Sequence, residues 1–342
     1  MNKVWTEKGN HNYAVKNREV SLMYFLERGF QWLKKINSQE EVIAELEQQK
    51  QQQRQPGFYA PEGVNESASD HIHDNSSLYA HNDTYIDLRT PSDEKRGALT
   101  LGFGFLYWIS ILVLSDIYTA WVEQLISGTS RENTPLSTTE YFTLIFYVLL
   151  CSTVLLLILK YTFRFLRLES FTARRVIVRF NRITRKVYLL RPEHLGGIRI
   201  MNWDKTQMIV DKSLIDLDES GGFVVLAWNK GDGTDLQGSP TDNIELTFVG
   251  KRASNAGELM AFWEYIRRYM EISPNAAPAP QKLISKFPSP LLSLKAASTF
   301  RGSGPLELLL WPTIPIHAIG HWLSLLLCYE PRFPKSIEDA GR

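Results

Sequence analysis

The chain has 342 residues, of which 44% are hydrophobic and 22% are charged, and its formal net charge is +1 at pH 7. This length allows two modest domains. The two cysteines, Cys151 and Cys328, are too few and too badly placed for a disulfide framework, which excludes the class of small disulfide-stapled proteins. The near-neutral total charge results from strongly basic segments that are balanced by acidic residues elsewhere in the chain.

The first 57 residues predict a cytoplasmic helical arm, with a helix on the membrane surface as the alternative. Leu22, Leu26 and Leu33 recur at helical spacing in the first helix. Ser38, with Glu41 three residues later, forms a capping-box signature for a second helix that stops before Pro56. We expect no cleavable signal sequence, because the first 90 or so residues are polar, so the first apolar stretch is expected to direct its own insertion.

Residues 58–94 predict a polar linker. They are rich in Asn, Ser, Asp, His, Pro and Gly and lack a sustained period of either helix or strand. His71, His73 and His81 lie in this segment, but no cysteine or second cluster of ligands accompanies them. The pattern therefore favours a solvated loop over a metal site.

Residues 95–165 predict a transmembrane hairpin of two helices. The apolar stretches 98–121 and 141–159 are each long enough to cross about 30 Å of hydrocarbon, which needs roughly 20 residues. The second stretch carries no charge, whereas the first carries Asp116, which we expect near the loop end, where a carboxylate reaches the headgroups. We therefore interpret both stretches as membrane-spanning.

The basic residues beside the two stretches predict their orientation. The second stretch leads directly into a run of lysine and arginine, whereas the loop between the stretches holds only Arg131. By the positive-inside rule, both termini are expected in the cytoplasm of a multi-pass protein of the bacterial inner membrane.

Residues 174–273 predict an antiparallel β-meander capped by a C-terminal helix. Residues 175–180 alternate in polarity, the NRIT sequence at 181–184 predicts a turn, and residues 185–191 predict the returning strand. After further strand-like runs, an amphipathic helix follows Ser254 and places Trp263 on its apolar face. Consecutive strands followed by one helix give the chain an α+β fold class.

The C-terminal part predicts a linker over 274–303 and an interfacial or re-entrant helix and tail over 304–342. Pro312 and Pro315 interrupt this third apolar segment, and basic residues flank it on both sides, so a spanning helix stays open as the alternative. His317 and His321 stand four apart on one helical face, but the intervening residues supply no general base and no third ligand is apparent. We expect no metal there.

Ten lysines and arginines occur between Lys160 and Arg191 against one acid, Glu169. Such a cluster is a topology determinant, a binding site for anionic lipid headgroups, or both. The candidates for contact with headgroups or the membrane surface are Arg164, Arg167, Arg175, Arg179, Arg185 and Lys186. No aromatic-basic platform accompanies the charge, so we expect no nucleic-acid partner.

No catalytic constellation is present in the sequence. It contains neither a phosphate-binding loop nor a nucleophile elbow, and the GFGF sequence at 102–105 lies inside a predicted span. We therefore predict a protein that is not an enzyme, with no catalytic residue, no cofactor and no metal.

Three segments resemble a known kind of protein: FNRITRKVYLLR at 180–191, WDK at 203–205 and the run ELLLWPTIPIHAIGHWLSLLLCYEPRFP at 307–334. They are similar to those of an uncharacterised family of bacterial inner-membrane proteins encoded beside type VI secretion effectors. The order of strands and helix also resembles a pleckstrin-homology-like domain.

This resemblance implies an immunity or accessory protein for a secreted effector toxin, acting through protein contacts. Membrane lipids are the other expected partner. A lipid-binding membrane scaffold in envelope homeostasis is the alternative function, and homo-oligomerisation stays open.

Overall fold

A computed structural model describes residues 61, 63–91, 96–130, 132, 134–167, 169–210, 222–253, 255–299 and 311–341, together with positions 44 and 48. The predicted N-terminal arm otherwise lies outside these residues. The chain divides into two compact units. The sheet unit comprises Met1–Glu94, Ala173–Pro288 and Tyr329–Arg342, and the helical unit comprises Lys95–Thr172 and Ser289–Cys328.

In its described residues, the helical unit contains two long α-helices and two short ones. The long helices, α1 (Ala98–Ser127) and α2 (Thr138–Leu166), form an antiparallel pair in which the Trp121 and Tyr147 rings lie 5.2 Å apart. The helices α4 (Pro290–Thr299) and α5 (Ile314–Leu327) pack against each other, and α5 also contacts α1. A Cβ atom added at Gly320 of α5 would lie 2.3 Å from the Leu101 side chain, so only glycine permits this approach.

In its described residues, the sheet unit contains two antiparallel sheets. The strands are β1 (Leu78–His81), β2 (Tyr85–Arg89), β3 (Ile177–Asn181), β4 (Lys186–Leu190), β5 (Arg199–Asn202), β6 (Gln207–Val210), β7 (Gly222–Trp228), β8 (Gly233–Thr234) and β9 (Glu245–Ala253). The six-stranded sheet has the order β1-β2-β3-β4-β5-β8, and the three-stranded sheet has the order β6-β7-β9. The expectation of an α+β chain with two long apolar helices and antiparallel strands is confirmed.

The main core lies between the sheets and helix α3 (Ala256–Glu271). Asn255 caps this helix by accepting a hydrogen bond from the Glu258 N–H. Trp203, Trp228 and Trp263 are each fully buried in this core, and the Trp203 and Trp263 rings lie 5.6 Å apart. Val178 and Phe180 of β3 also lie in this core, as the alternation over residues 175–180 predicts.

The segment predicted as a polar linker over 58–94 is not a linker throughout. Its residues 78–89 form the hairpin β1-β2, and β2 pairs with β3 along its whole length. Leu78, Ile86 and Leu88 are buried in the main core. The hairpin was not predicted because its strands are short and include polar residues. One of these, Asp87, is buried in an ion pair with Arg179 and is not solvated.

The C-terminal boundaries also differ from the predicted ones. The predicted linker over 274–303 contains helix α4, and the tail after residue 328 belongs to the sheet unit. Phe333 and Ile337, the latter in the short helix α6 (Lys335–Glu338), pack with Ile177 and Tyr188 on the sheet face opposite the main core. Because of this tail, the β3-β4 hairpin is buried on both faces, whereas its alternating sequence suggested one solvated face.

Candidate membrane site

Arg175 and Arg179, two of the predicted headgroup contacts, are buried and bound within the sheet unit. Arg179 donates two hydrogen bonds to Asp87, at 2.7 and 2.9 Å, and its guanidinium lies between the rings of Tyr85 and Phe333. Arg175 stacks on a tyrosine ring and lies 3.3 Å from Glu330. Their charges are neutralised by carboxylates of the same chain.

Arg185 is the last residue of the turn between β3 and β4, and it contacts the WDK segment. It forms ion pairs with Asp204 and Glu271, and the Trp203 Nε1–H donates to the same Glu271 carboxylate at 2.5 Å. Hydrogen bonds to Asp204 and then to Glu271 raise the pKa of Arg185 above its usual value. Two of the three segments that carry the family resemblance therefore meet in one polar cluster, which ties the hairpin to the end of α3.

The other predicted contacts lie nearer the surface. Arg164 and Arg167, at the end of α2, are exposed, and the Arg167 guanidinium lies 5.9 Å from the centre of the Phe163 ring. Lys186 is half-buried at the start of β4. The six residues thus do not form one site: the hairpin arginines stabilise the sheet unit, and the arginines of α2 project outward.

The helical unit reverses the usual polarity of a protein interior. Among its described residues, the buried side chains are polar or small, whereas many of the large apolar side chains are exposed. The buried set includes Thr100, Glu169, Ser170, Ser293, Ala297, Ala318, His321 and Ser324. The exposed set includes Phe105, Phe142, Leu149, Leu156, Leu291, Leu292, Ile316 and Ile319. Exposed apolar surface of this extent marks a contact with lipid or with another protein.

Glu169 is the centre of the buried polar network. Its carboxylate accepts hydrogen bonds from the N–H groups of Gly97 and Thr100 at the start of α1, the second at 2.7 Å, and from the Thr100 hydroxyl at 2.8 Å. The first N–H groups of a helix lack partners within the helix, and an anion there is favoured by the helix dipole. Glu169, which follows the C-terminal end of α2, therefore caps the N-terminal end of α1.

The same network reaches α5. Ser324 donates to the Glu169 carbonyl at 3.1 Å, and the fully buried Arg96 donates to the Cys328 sulfur at 3.2 Å. On α4, Ser293 is hydrogen-bonded to His321 at 2.9 Å. Sequence reasoning missed this network, although Glu169 stood out as the one acid among ten basic residues.

The histidines do not assemble a metal centre in the described part of the chain, where no group of three or more His, Cys, Asp and Glu side chains could hold an ion. His321 binds Ser293 instead, and His81 is hydrogen-bonded to the Ala277 carbonyl at 2.8 Å. His73 accepts a hydrogen bond from the Asn75 N–H.

A buried carboxylate on α3 ties the 64–75 segment to the main core. Glu264 accepts hydrogen bonds from Arg267, from Arg268 and from the Ala68 N–H, all within 3.0 Å. Burial acts to raise the pKa of Glu264, but the three sets of hydrogen bonds outweigh it and lower the pKa to about 2.

This lowered pKa predicts a pH dependence of stability. Because the folded-state pKa of Glu264 lies below its ordinary value of 4.5, its contribution is complete above pH 4.5 and is lost as the pH falls toward 2. The contribution is about 3 kcal/mol. We expect Glu264→Gln to lower the free energy of unfolding at pH 7 by up to this amount and to flatten its pH dependence between pH 5 and 2. Denaturant unfolding of the full chain at several pH values measures this, with the exposed Asp83→Asn as the control; an unchanged pH profile would contradict it.

Together these features define an α+β protein with two helices, α1 and α2, that are long and apolar enough to cross a membrane. A model of DUF6708, a family of unknown function, matches residues 154–342, which is more than half of the chain. The chain belongs to this family. No curated protein and no solved structure matches it.

Proposed function

We propose that this chain is a non-enzymatic protein of the bacterial inner membrane that protects its cell from, or assists, a toxin delivered by type VI secretion. The observation that carries the membrane part is the reversed polarity of the helical unit. Leu149 and Leu156 on α2 and Phe105 on α1 are more than half exposed, which is costly in water and favourable in hydrocarbon. The toxin part rests on the family resemblance.

The third apolar segment has the same reversed polarity. Leu291 of α4 and Ile316 of α5 are 77% and 58% exposed, whereas the hydrogen-bonded pair Ser293 and His321 lies inside. Among the described residues of this segment, helix α5 has 14 residues and is about 21 Å long, which by itself is short of the hydrocarbon thickness. We therefore favour a re-entrant α4-α5 segment with both termini of the chain in the cytoplasm, as the basic residues beside α2 also indicate.

The sheet unit is proposed to be a cytoplasmic, pleckstrin-homology-like domain. The strands from β3 onward are followed by α3, which packs on the core between two antiparallel sheets. This domain would supply the surface that recognises a protein partner.

The alternative function, a lipid-binding scaffold in envelope homeostasis, has weaker support. It required a basic hairpin that faces headgroups, but Arg175 and Arg179 are 6% and 5% exposed and are paired with carboxylates. Of the six candidates, Arg164 on α2 and Arg167 just after it are the two that are exposed, as contact with anionic lipid requires.

A competition experiment tests the protective function. A strain that lacks only this gene should be outcompeted by sister cells that deliver the effector encoded beside it, and should survive equally well beside attackers without that effector. Complementation should require α1 and α2, because anchoring raises the effective concentration of a protector at the membrane where the toxin acts. Equal survival against both attackers would exclude immunity and leave an accessory or scaffold role.

A double variant separates the two functions. Arg164→Gln combined with Arg167→Gln removes the outward-facing charges and should leave protection intact if the protein acts through protein contacts. Loss of protection by this double variant, with normal amounts of protein in the membrane, would favour the lipid-binding function.

A further inference from the structure

A carboxylate projects from the apolar surface of the α1-α2 pair. Asp116 lies on α1 and is exposed, as are the neighbouring Val113 and Ile117. In the described part of the chain, no side chain donates a hydrogen bond to the Asp116 carboxylate or forms an ion pair with it. An ionisable group on a membrane-spanning helix is costly unless it has a partner.

The register of the two helices places Asp116 deeper than the sequence suggested. Trp121 packs on Tyr147, and the helices are antiparallel, so Asp116, five residues before Trp121, is level with Ser152, five residues after Tyr147. Ser152 lies in the middle of the uncharged stretch 141–159. If α2 crosses the bilayer with this stretch, the carboxylate lies near mid-depth and not at the headgroups.

No shift of the hairpin avoids this burial at lower cost. A position that carried Asp116 out of the hydrocarbon would also expose the first half of the 141–159 stretch. The same shift would draw Lys160 and Arg164 inward from the opposite end. One carboxylate at depth is therefore the less costly arrangement, provided that it finds a partner.

In the described residues, the aliphatic hydroxyls beside Asp116 on α1, those of Ser115 and Thr119, already donate to backbone carbonyls. The Ser115 hydroxyl donates to the Leu112 carbonyl at 2.9 Å, and the Thr119 hydroxyl donates to the Ser115 carbonyl at 2.8 Å, so both hydrogens are engaged. Glu123 follows two turns after Asp116 on the same face and is also exposed. A partner must therefore supply the hydrogen-bond donors and the positive charge.

We propose that this acceptor face, formed by Ser115, Asp116, Thr119 and Glu123, binds a membrane-spanning helix of another protein that carries an arginine or lysine at mid-depth. A second copy of this chain fits less well, because its identical face would bring carboxylates against carboxylates. The inference deepens the proposed function by naming the chemistry of the partner, and it rests on that proposal in one respect: α1 and α2 must lie in the bilayer.

The test uses the full chain in vesicles of phosphatidylethanolamine and phosphatidylglycerol. Synthetic leucine-alanine helices with a central arginine, leucine or glutamate serve as probes. Binding is measured by energy transfer from a dye on the loop between α1 and α2 to a dye on the probe. We expect the arginine helix to bind at least tenfold more tightly than the other two, and Asp116→Asn to abolish this preference. Glu132→Gln, which removes an acid from the loop, should preserve it.

The opposing results are distinct. Equal binding of the three helices, or a preference that survives Asp116→Asn, overturns the inference and leaves the membrane location standing. Energy transfer between two differently labelled copies that is lost in Asp116→Asn would assign the face to self-association and also overturn it. Extraction of the chain from the vesicles by alkaline carbonate would overturn both this inference and the proposed membrane function.

Discussion

Replacing Trp263 by alanine is expected to lower the free energy of unfolding of the full chain by about 3 to 5 kcal/mol. The indole is fully buried on α3, where it packs against Trp203 in the main core between the two sheets. The Trp203 ring cannot move into the space left, because its Nε1–H is held by Glu271 at 2.5 Å. The cavity would therefore stay open. Proteolysis of the detergent-solubilised chain across a urea series measures the loss.

A matched substitution separates packing from hydrogen bonding. Among the described residues, the Trp263 Nε1–H has no hydrogen-bond partner although it is buried. Trp263→Phe keeps a ring in the core and removes this unsatisfied donor, so its cost should be well below that of alanine. Phe287→Ala, at a 74% exposed position of the same unit, should change stability little. Equal stabilities of Trp263→Ala and the natural chain would show that α3 does not close the core.

Local patterns in the sequence predicted the elements that local physics determines. The uncharged stretch at 141–159 could only be a long apolar helix, and it lies within α2. The apolar face that includes Trp263 predicted α3, because a period of 3.6 residues is visible over about four turns. The NRIT turn predicted the β3-β4 hairpin, whose register pairs Asn181 with Lys186.

Elements stabilised by distant residues could not be predicted in this way. The hairpin β1-β2 is too short to show a period, and it is held by pairing of β2 with β3, about 90 residues later in the chain. The tail that covers the outer face of the β3-β4 hairpin lies about 150 residues after β3 in the chain, and its Phe333 ring stacks on Arg179. A single sequence carries no signal for such pairings.

The basic cluster shows the same limit at the level of the site. Counting charges between Lys160 and Arg191 predicted a membrane-facing surface, but the counterions of Arg175 and Arg179 are Glu330 and Asp87, which lie in other parts of the chain. Burial and ion pairing are tertiary properties. Glu169 is the exception that a reader of the sequence could have singled out, because it is the one acid in a basic run.

A second large loss of stability is expected when the buried ion pair of Asp87 and Arg179 is broken. The two side chains are 2% and 6% exposed, and the guanidinium is enclosed by Tyr85 and Phe333. We expect Asp87→Ala to lower the free energy of unfolding by about 3 to 5 kcal/mol, because it leaves a buried charge without a counterion. Asp83→Ala, at an exposed position in the turn before β2, is the control.

A double substitution distinguishes loss of the counterion from loss of packing. Asp87→Leu together with Arg179→Met removes both charges and places a flexible apolar side chain between the two rings that now hold the guanidinium. Because a buried ion pair gains little over well-packed apolar residues, the double variant should recover most of the stability that Asp87→Ala loses. Urea unfolding of the three variants measures this. A double variant as unstable as Asp87→Ala would show that the geometry of the pair, and not its uncompensated charge, holds β2 to β3.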